Sequence, residues 1–189
     1  VLSFRDLFVL KTKTPLNTID ESKILIRKKD STLVKFNSKY DEFNQEIAFD
    51  FQKEEDEKYT LELLPGAIND FYNKENDSLK FDFGTRLISD YGNLKVTLIG
   101  AKRFPLILEV LDNKGEVMYS QKSEKETTMI FETIEPRQYT LRVVYDDNSN
   151  GFWDTGNYLA KKQAEEIIYF PKEIDIRANW DVEQEFGLD

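Results

Sequence analysis

The chain is expected to be all-β, with two tandem β-sandwich domains over residues 1–87 and 88–189. Three observations predict this. Apolar residues alternate with polar ones along short segments, clusters of Asn, Asp, Gly and Pro separate those segments, and only one stretch has a helix-forming composition. A period of two buries one face and wets the other, which is what antiparallel sheets provide.

Taken in order, Ile24 and Ile26 alternate with Leu25 and Arg27. Ile47, Phe49 and Phe51 point one way while Ala48, Asp50 and Gln52 point the other. Tyr59, Leu61 and Leu63 alternate with Thr60 and Glu62 until Pro65-Gly66 stops the run. Leu79, Phe81 and Phe83 alternate with Lys80 and Asp82. The turn cluster over Gly84–Asn93 is read as the boundary between the domains. Beyond it, Leu94, Val96 and Leu98 alternate, as do Leu106, Leu108 and Val110. Asp112-Asn113-Lys114-Gly115 turns the chain back into Val117 and Tyr119 as a hairpin. Tyr139, Leu141, Val143 and Tyr145 make the clearest strand. Ile174 and Ile176, extending toward Ala178 and Trp180, are read as the last one. The exception is Tyr158–Glu166, whose composition predicts one or two helical turns at most, with Asn157 as N-cap. The acidic run Glu54-Glu55-Asp56-Glu57 is read as a solvated hairpin tip.

Composition narrows the chemistry. A chain of 189 residues suits one large domain or two of ordinary size, and 40% hydrophobic residues supply a core. Charged residues are interspersed, which argues against disorder. The net charge of −10 repels polyanions at long range, so nucleic acid and anionic membrane surfaces are poor candidates as partners. Lys11, Lys13, Lys28 and Lys29 are too sparse to reverse that. No apolar run reaches the roughly 18 residues of a membrane span, so this chain is not expected to insert into a bilayer. With no Cys and no His, the usual zinc sites, disulfides, thiol nucleophiles and imidazole acid–base catalysis are all excluded. Val1-Leu2-Ser3-Phe4 reads as the middle of a strand, as expected of a segment from a longer protein.

The stretch that carries chemistry is Asp146-Asp147-Asn148-Ser149-Asn150-Gly151-Phe152-Trp153-Asp154. Side-chain oxygens at alternate positions, with a glycine at the sixth, let a chain curl around a hard cation. In an EF-hand-type loop, Asp146, Asn148, Asn150, the Phe152 carbonyl and Asp154 fall on ligand positions, and Asp147 faces away. The candidate ion is calcium. Asn157 stands where the bidentate glutamate belongs, and Glu165 or Glu166 could replace it by folding back. With two charged ligands the expected affinity is weak, about 10⁻⁴–10⁻³ M. The competing reading is a metal-free turn, because Asn and Asp side chains cap their own backbone and tolerate left-handed conformations.

Two further constellations are weighed against plainer readings. Trp153 and Trp180 with Tyr145, Tyr158 and Tyr169 form either a sugar-stacking platform or ordinary packing, of which packing is the commoner use. Asp146 with Asp154, or Glu165 with Glu166, lack any sign of the cleft spacing a glycosidase needs. No catalytic residues are assigned.

Pro15-Leu16-Asn17-Thr18-Ile19-Asp20, the run from Tyr59 to Asp70, and Phe81-Asp82-Phe83-Gly84-Thr85 resemble an S-layer-type bacterial Ig-like domain. In that family the Y-x-L-x-x-x-P-G-A-x-x-D run is a strand entering a turn, and the family's opening strand is shortened or divergent here. The resemblance implies a module without an activity of its own. Phe131, Ile134, Pro136, Tyr139 and Leu141 are similar to the F-x-x-L-x-P-G-x-Y-x-L pattern of prealbumin-like modules, which include carboxypeptidase regulatory-like domains and adhesin B-repeats. Arg137-Gln138 stand where that family has glycine, which leaves the turn type open. The run from Asp146 to Tyr158, with Tyr169-Phe170-Pro171 and Arg177-Ala178-Asn179-Trp180, resembles the C-terminal region of envelope lipoproteins carrying an Ig-like domain. That implies a cell-envelope location, either as an outer-membrane-anchored lipoprotein or in the periplasm. The expected role is a non-catalytic structural or accessory region of such a lipoprotein, monomeric and stiffened by calcium. Its expected partners are other envelope proteins or surface glycans. The alternative is a carbohydrate- or protein-binding adhesion module.

Overall fold

The computed structural model describes residues 1–159 and 161–188. Contacts divide the chain into two units, Val1–Leu87 and Ile88–Asp189. In the first, the strands are β1 (Phe8–Lys11), β2 (Leu16–Ile19), β3 (Ile24–Lys28), β4 (Leu33–Val34) and β5 (Phe36–Asp41). They are followed by β6 (Glu46–Phe51), β7 (Lys58–Leu63), β8 (Ile68–Asp70) and β9 (Leu79–Gly84). One sheet runs β1-β6-β5 and another β4-β3-β7-β9, while β2 and β8 form a ribbon.

The two larger sheets bury their alternating residues against each other. Ile47, Phe49 and Phe51 of β6 share a core with Ile24 and Ile26 of β3 and with Tyr59, Leu61 and Leu63 of β7. Aromatic rings fill much of it: Phe8 stacks on Phe83 at 4.4 Å, and Phe51 meets Tyr59 edge-on at 5.2 Å. Outward positions pair across strands instead, as where Lys80 meets Glu62 at 3.0 Å.

Two expectations for this unit need correction. Leu79 is exposed rather than buried, at the first position of the edge strand β9. The Glu54–Glu57 run is no hairpin tip, since β6 and β7 belong to different sheets and the run crosses between them. The buried Thr85 hydroxyl pins that crossover, donating to the Glu54 carbonyl at 2.5 Å and accepting from the Glu57 N–H at 3.1 Å.

The second unit contains β10 (Gly92–Ile99), β11 (Leu106–Leu111), β12 (Val117–Ser123) and β13 (Thr128–Ile134). It continues with β14 (Gln138–Tyr145), β15 (Ile167–Tyr169), β16 (Ile174–Asp175) and β17 (Asp181–Gly187). The sheet β13-β10-β17 faces β12-β11-β14-β15, with β16 paired to the start of β14. Leu94, Val96, Leu98, Phe131 and Phe186 from the first sheet pack on Leu106, Leu108, Val110, Tyr139, Leu141, Val143 and Tyr145 from the other. The architecture is therefore all-β, with two sheets enclosing each core. Gly92 is required by close approach, because a Cβ there would lie 2.6 Å from the Arg177 carbonyl.

Three features of this unit differ from the sequence reading. The last strand is β17, parallel to β10, rather than the segment from Ile174 to Trp180. Ile174 and Ile176 are buried, but Trp180 is 55% exposed, with the Arg177 guanidinium over its ring. The parallel pairing departs from the wholly antiparallel expectation. The acids Asp181, Glu183 and Glu185 obscured β17, although they occupy only its exposed face. Second, the Tyr158–Glu166 stretch contains no helix among the described residues (its Ala160 lies outside them). Asn157 and Lys162 exchange backbone hydrogen bonds there, and Glu165 and Glu166 bond to Asp154 and Tyr145, so the backbone is committed to extended pairing. Third, the Glu135–Arg137 turn has no left-handed residue; the nearby positive φ, 50° at Thr133, lies inside β13 where its register with β10 shifts. Tyr139 closes this corner by donating to the Glu135 carbonyl at 2.8 Å.

Both tryptophans lie in the second unit, so their fluorescence during urea unfolding reports on it. Leu141→Ala, at a position with no exposure, is expected to destabilise this unit by about 2–5 kcal/mol. The same change at the exposed Leu79 should leave the tryptophan transition unmoved.

Candidate functional site

Sheet register decides which groups meet at the Asp146 loop. Arg142, Val143 and Val144 of β14 pair with Tyr169, Ile168 and Ile167 of β15. Continuing that register brings Asp146 level with Glu165, and Tyr145 level with Glu166. On the other side, Ile107 of β11 pairs with both Val144 and Lys122. Side chains alternate along each strand, so Lys122, Val144, Asp146 and Glu165 share one face. Tyr145, Asp147 and Glu166 share the opposite one.

On the first face Asp146 is 0% exposed. Its carboxylate accepts from the Asn150 N–H at 3.0 Å and from the Gly151 N–H at 3.0 Å. The Lys122 ammonium lies 3.0 Å from the same carboxylate and also donates to the Ser149 carbonyl at 3.0 Å. The loop must turn sharply to offer two successive N–H groups to one carboxylate, which explains Gly151 at φ 84° and Ser149 at φ 62°. Asn148 and Asn150 accept backbone N–H groups through Oδ1 and turn their amide NH₂ groups to Asp154. Phe152 is held by its N–H to Asn150 at 2.8 Å, and its ring is exposed.

Glu165 ties the far end of the loop down. Its Oε2 accepts from the Asp154 N–H at 3.0 Å, its own N–H donates to the Asp154 carbonyl at 3.1 Å, and its carbonyl accepts from the Trp153 indole at 3.2 Å. The residue is 6% exposed, and its Oε1 is buried without a hydrogen-bond partner. A buried acceptor left so costs about 1–3 kcal/mol. As the side chains stand, no group of three or more acids among the described residues is gathered into a ready metal cage. The loop is closed by its own amides and by Lys122. The five expected ligand residues follow one another along the loop, but Asn148 and Asn150 present NH₂ donors to Asp154, and the Lys162 ammonium lies 3.8 Å from the same carboxylate.

Opposing effects act on Asp146. Burial works to raise its pKa, but the hydrogen bond from Lys122 and the two loop N–H groups outweigh it and hold the carboxyl below the usual range. The Lys122 ammonium is raised in return, chiefly by its hydrogen bond to Asp146. On the opposite face Arg103 clamps Asp147 at 2.7 and 3.2 Å and Glu166 at 2.9 Å, and lies over the Tyr145 ring. Asp147 is lowered mainly by that guanidinium.

Sequence reasoning missed Lys122 and Arg103, because each reaches the loop through strand register rather than local spacing. It left Glu165 and Glu166 undecided, and the parity of β15 separates them. The five-residue aromatic platform does not form, since Tyr145 is wholly buried in the core while Tyr158 is exposed. A groove of about 820 Å³ lies away from this loop, in the first unit. Of the charges lining it, Arg27 and Lys80 both pair with Glu62.

No protein-family model matches the chain, and no curated protein sequence does either. Among solved structures, the chain is similar to BcpA, the major pilin subunit of Bacillus cereus, at 9% identity and TM-score 0.35 over 95% of its length. It is similar to the D312A form of BcpA at 10% identity and TM-score 0.37 over 98% of its length, and to the Bacillus anthracis TIE protein at 10% and 0.33 over 96%. The chain spans 55%, 60% and 33% of those three proteins respectively. Likenesses this distant carry no argument about family or activity.

The depressed Asp146 carboxyl has a consequence for acid stability. A group whose folded pKa lies below its unfolded value, about 3.9, contributes stability that is full above that value and lost as pH falls through the folded one. Asp146→Asn is therefore expected to destabilise the second unit by about 1–3 kcal/mol at pH 7. Urea unfolding followed by tryptophan fluorescence should show that difference shrinking below about pH 4.

Proposed function

We propose that this chain is a non-catalytic accessory region of a bacterial cell-envelope lipoprotein. In this reading an Ig-like module precedes a prealbumin-like module, and calcium stiffens the second at the Asp146–Asp154 loop. The single observation that carries it is the Asp146 carboxylate, wholly buried where β14 gives way to the long excursion toward β15. Such a group locks a loop mechanically. It is poorly suited to substrate chemistry, because its oxygens are already taken by two N–H groups and an ammonium.

Calcium would be held by Asp146, Asn148, Asn150, the Phe152 carbonyl and Asp154, and it would supply positive charge where Lys122 and two amides now do. Other acids nearby are already committed: Glu109 to Arg142, and Asp147 and Glu166 to Arg103. Among the described residues no helix is long and apolar enough to cross a membrane. A lipid anchor elsewhere in the protein would then tether the region.

One observation favours the adhesion alternative. Phe152, Tyr158 and Leu159 are 74%, 95% and 93% exposed along the same excursion, a set of apolar groups open to an envelope protein or a surface glycan.

Millimolar calcium is expected to raise the melting temperature of the second unit, with magnesium less effective because it dehydrates reluctantly. An unchanged melting temperature and no heat of binding would remove calcium from the reading. Fractionation of cells making the whole protein should place it with the envelope, and recovery in the cytosol would contradict the location. Binding on a glycan array that is lost on Tyr158→Ala would favour the adhesion role.

A further inference from the structure

We propose that the gap between the edge strands β1 and β9 of the first unit is a docking groove for an extended peptide segment. The segment it fits has apolar side chains at alternate positions and acidic residues at one end. The inference is independent of calcium and of the Asp146 loop.

Each of these strands has a hydrogen-bonded neighbour on one side only: β1 ends its sheet beside β6, and β9 ends the other sheet beside β7. Side chains close the space between them at one end, where the Phe8 ring lies 4.4 Å from Phe83 and 6.4 Å from Phe81. Beyond Phe8 the space opens into a groove of about 470 Å³. Leu10 of β1, Leu79 and Phe81 of β9, and Leu16 and Ile68 of the β2–β8 ribbon line it. Leu79 is 38% exposed, and none of the other four is fully buried, so the sandwich leaves this part of its interior uncovered.

What points to a peptide is the backbone of β9. The Thr85 N–H bonds to the Glu57 carbonyl, and the pairs Phe83–Tyr59, Phe81–Leu61 and Leu79–Leu63 continue that parity. Lys80, Asp82 and Gly84 therefore direct their N–H and C=O groups away from β7. At Gly84 the outward carbonyl accepts the Leu2 N–H at 2.8 Å. Among the described residues the outward groups of Lys80 and Asp82, beside the groove-lining Leu79 and Phe81, meet no such partner. An acyl chain would leave them unanswered. An added strand pairs with them and sends every second side chain into the groove. Charge then narrows the partner. Lys13 and Lys74 also line the groove, and neither has an ion pair among the described residues, whereas Lys11 is already on Glu46 at 2.7 Å. Of the acids there, Asp70 accepts from the Thr14 hydroxyl at 3.3 Å and from the Tyr72 and Lys74 N–H groups at 2.9 Å. The Glu75 carboxylate lies beside Gly66, which Lys23 also approaches. Two unanswered ammonium groups call for carboxylates on the partner.

The test is fluorescence polarisation of a labelled synthetic peptide, alternating valine and threonine with two glutamates at its C-terminal end, titrated with the whole chain. Wild type should bind it. A peptide with lysines in place of the glutamates should bind about tenfold or more weakly, and added salt should narrow that difference. Lys80→Pro removes an N–H that the fold does not use, at an edge position where proline is tolerated, and it loses only an exposed ion pair with Glu62. It should weaken binding about tenfold or more while the melting temperature changes little. Lys13→Glu combined with Lys74→Glu should reverse the preference between the two peptides. Should Lys80→Pro fail to fold, amide exchange in the wild-type chain decides: the Lys80 and Asp82 N–H groups should exchange freely alone and be protected by the peptide. No binding by wild type, undiminished binding by folded Lys80→Pro, or unprotected Lys80 and Asp82 amides in the complex each overturns the proposal. Binding of decanoate where the peptide does not bind would make this an acyl-chain groove and overturn it as well.

Discussion

A carboxylate with no contact with water must be supplied with donors, and the second unit is arranged around supplying Asp146. Two backbone N–H groups come from four and five residues ahead in the chain, and an ammonium comes from β12. The turn through Ser149 and Gly151 exists in the form that delivers those N–H groups. Uncompensated burial of such a charge would be among the costliest single features of a fold this size. Because the charge is compensated, the same feature fixes the direction in which the chain leaves β14.

Strand register then sorts the neighbouring charges without any local code. Asp146 and Glu165 fall on one face with Lys122, while Asp147 and Glu166 fall on the other with Arg103 and the Tyr145 ring. Just after β14, Asp146 goes to Lys122 and Asp147 to Arg103; just before β15, Glu166 goes to Arg103 and Glu165 to the Asp154 N–H. A slip of one residue between β14 and β15 would put Glu165 on the Arg103 side, and Glu166 would displace it at the loop. The loop's chemistry therefore depends on the sandwich core, since Tyr139, Leu141, Val143 and Tyr145 hold that register by burying every second side chain.

Much of the fold was legible in the sequence because burial of one sheet face writes a period of two. Ile47, Phe49 and Phe51, or Leu94, Val96 and Leu98, could hardly be read otherwise. The pattern failed where burial is not one-sided or where charge obscures it. Strand β11 is buried along both faces, so its alternation understated it. Strand β17 carries acids at every second position, which disguised Val182 and Phe186 as part of a polar tail. Leu79 obeyed the period but sits on an edge strand. The Tyr158–Glu166 stretch has helical propensity, yet backbone pairing with Asp154 and Tyr145 overrides it. For the loop, spacing placed Asp146 through Asp154 together because those residues are neighbours in sequence. It could not reveal Lys122 or Arg103, which arrive from distant strands, and it could not separate Glu165 from Glu166 without the parity of β15.

The most direct measurement of this account is amide hydrogen exchange at Asn150 and Gly151 in the metal-free chain. If the buried Asp146 carboxylate anchors the loop, these two N–H groups, though they lie in an irregular loop, should exchange as slowly as the neighbouring strand amides, and Asp146→Ala should release both. Exchange at the rate of an open loop in the wild-type chain would contradict the account.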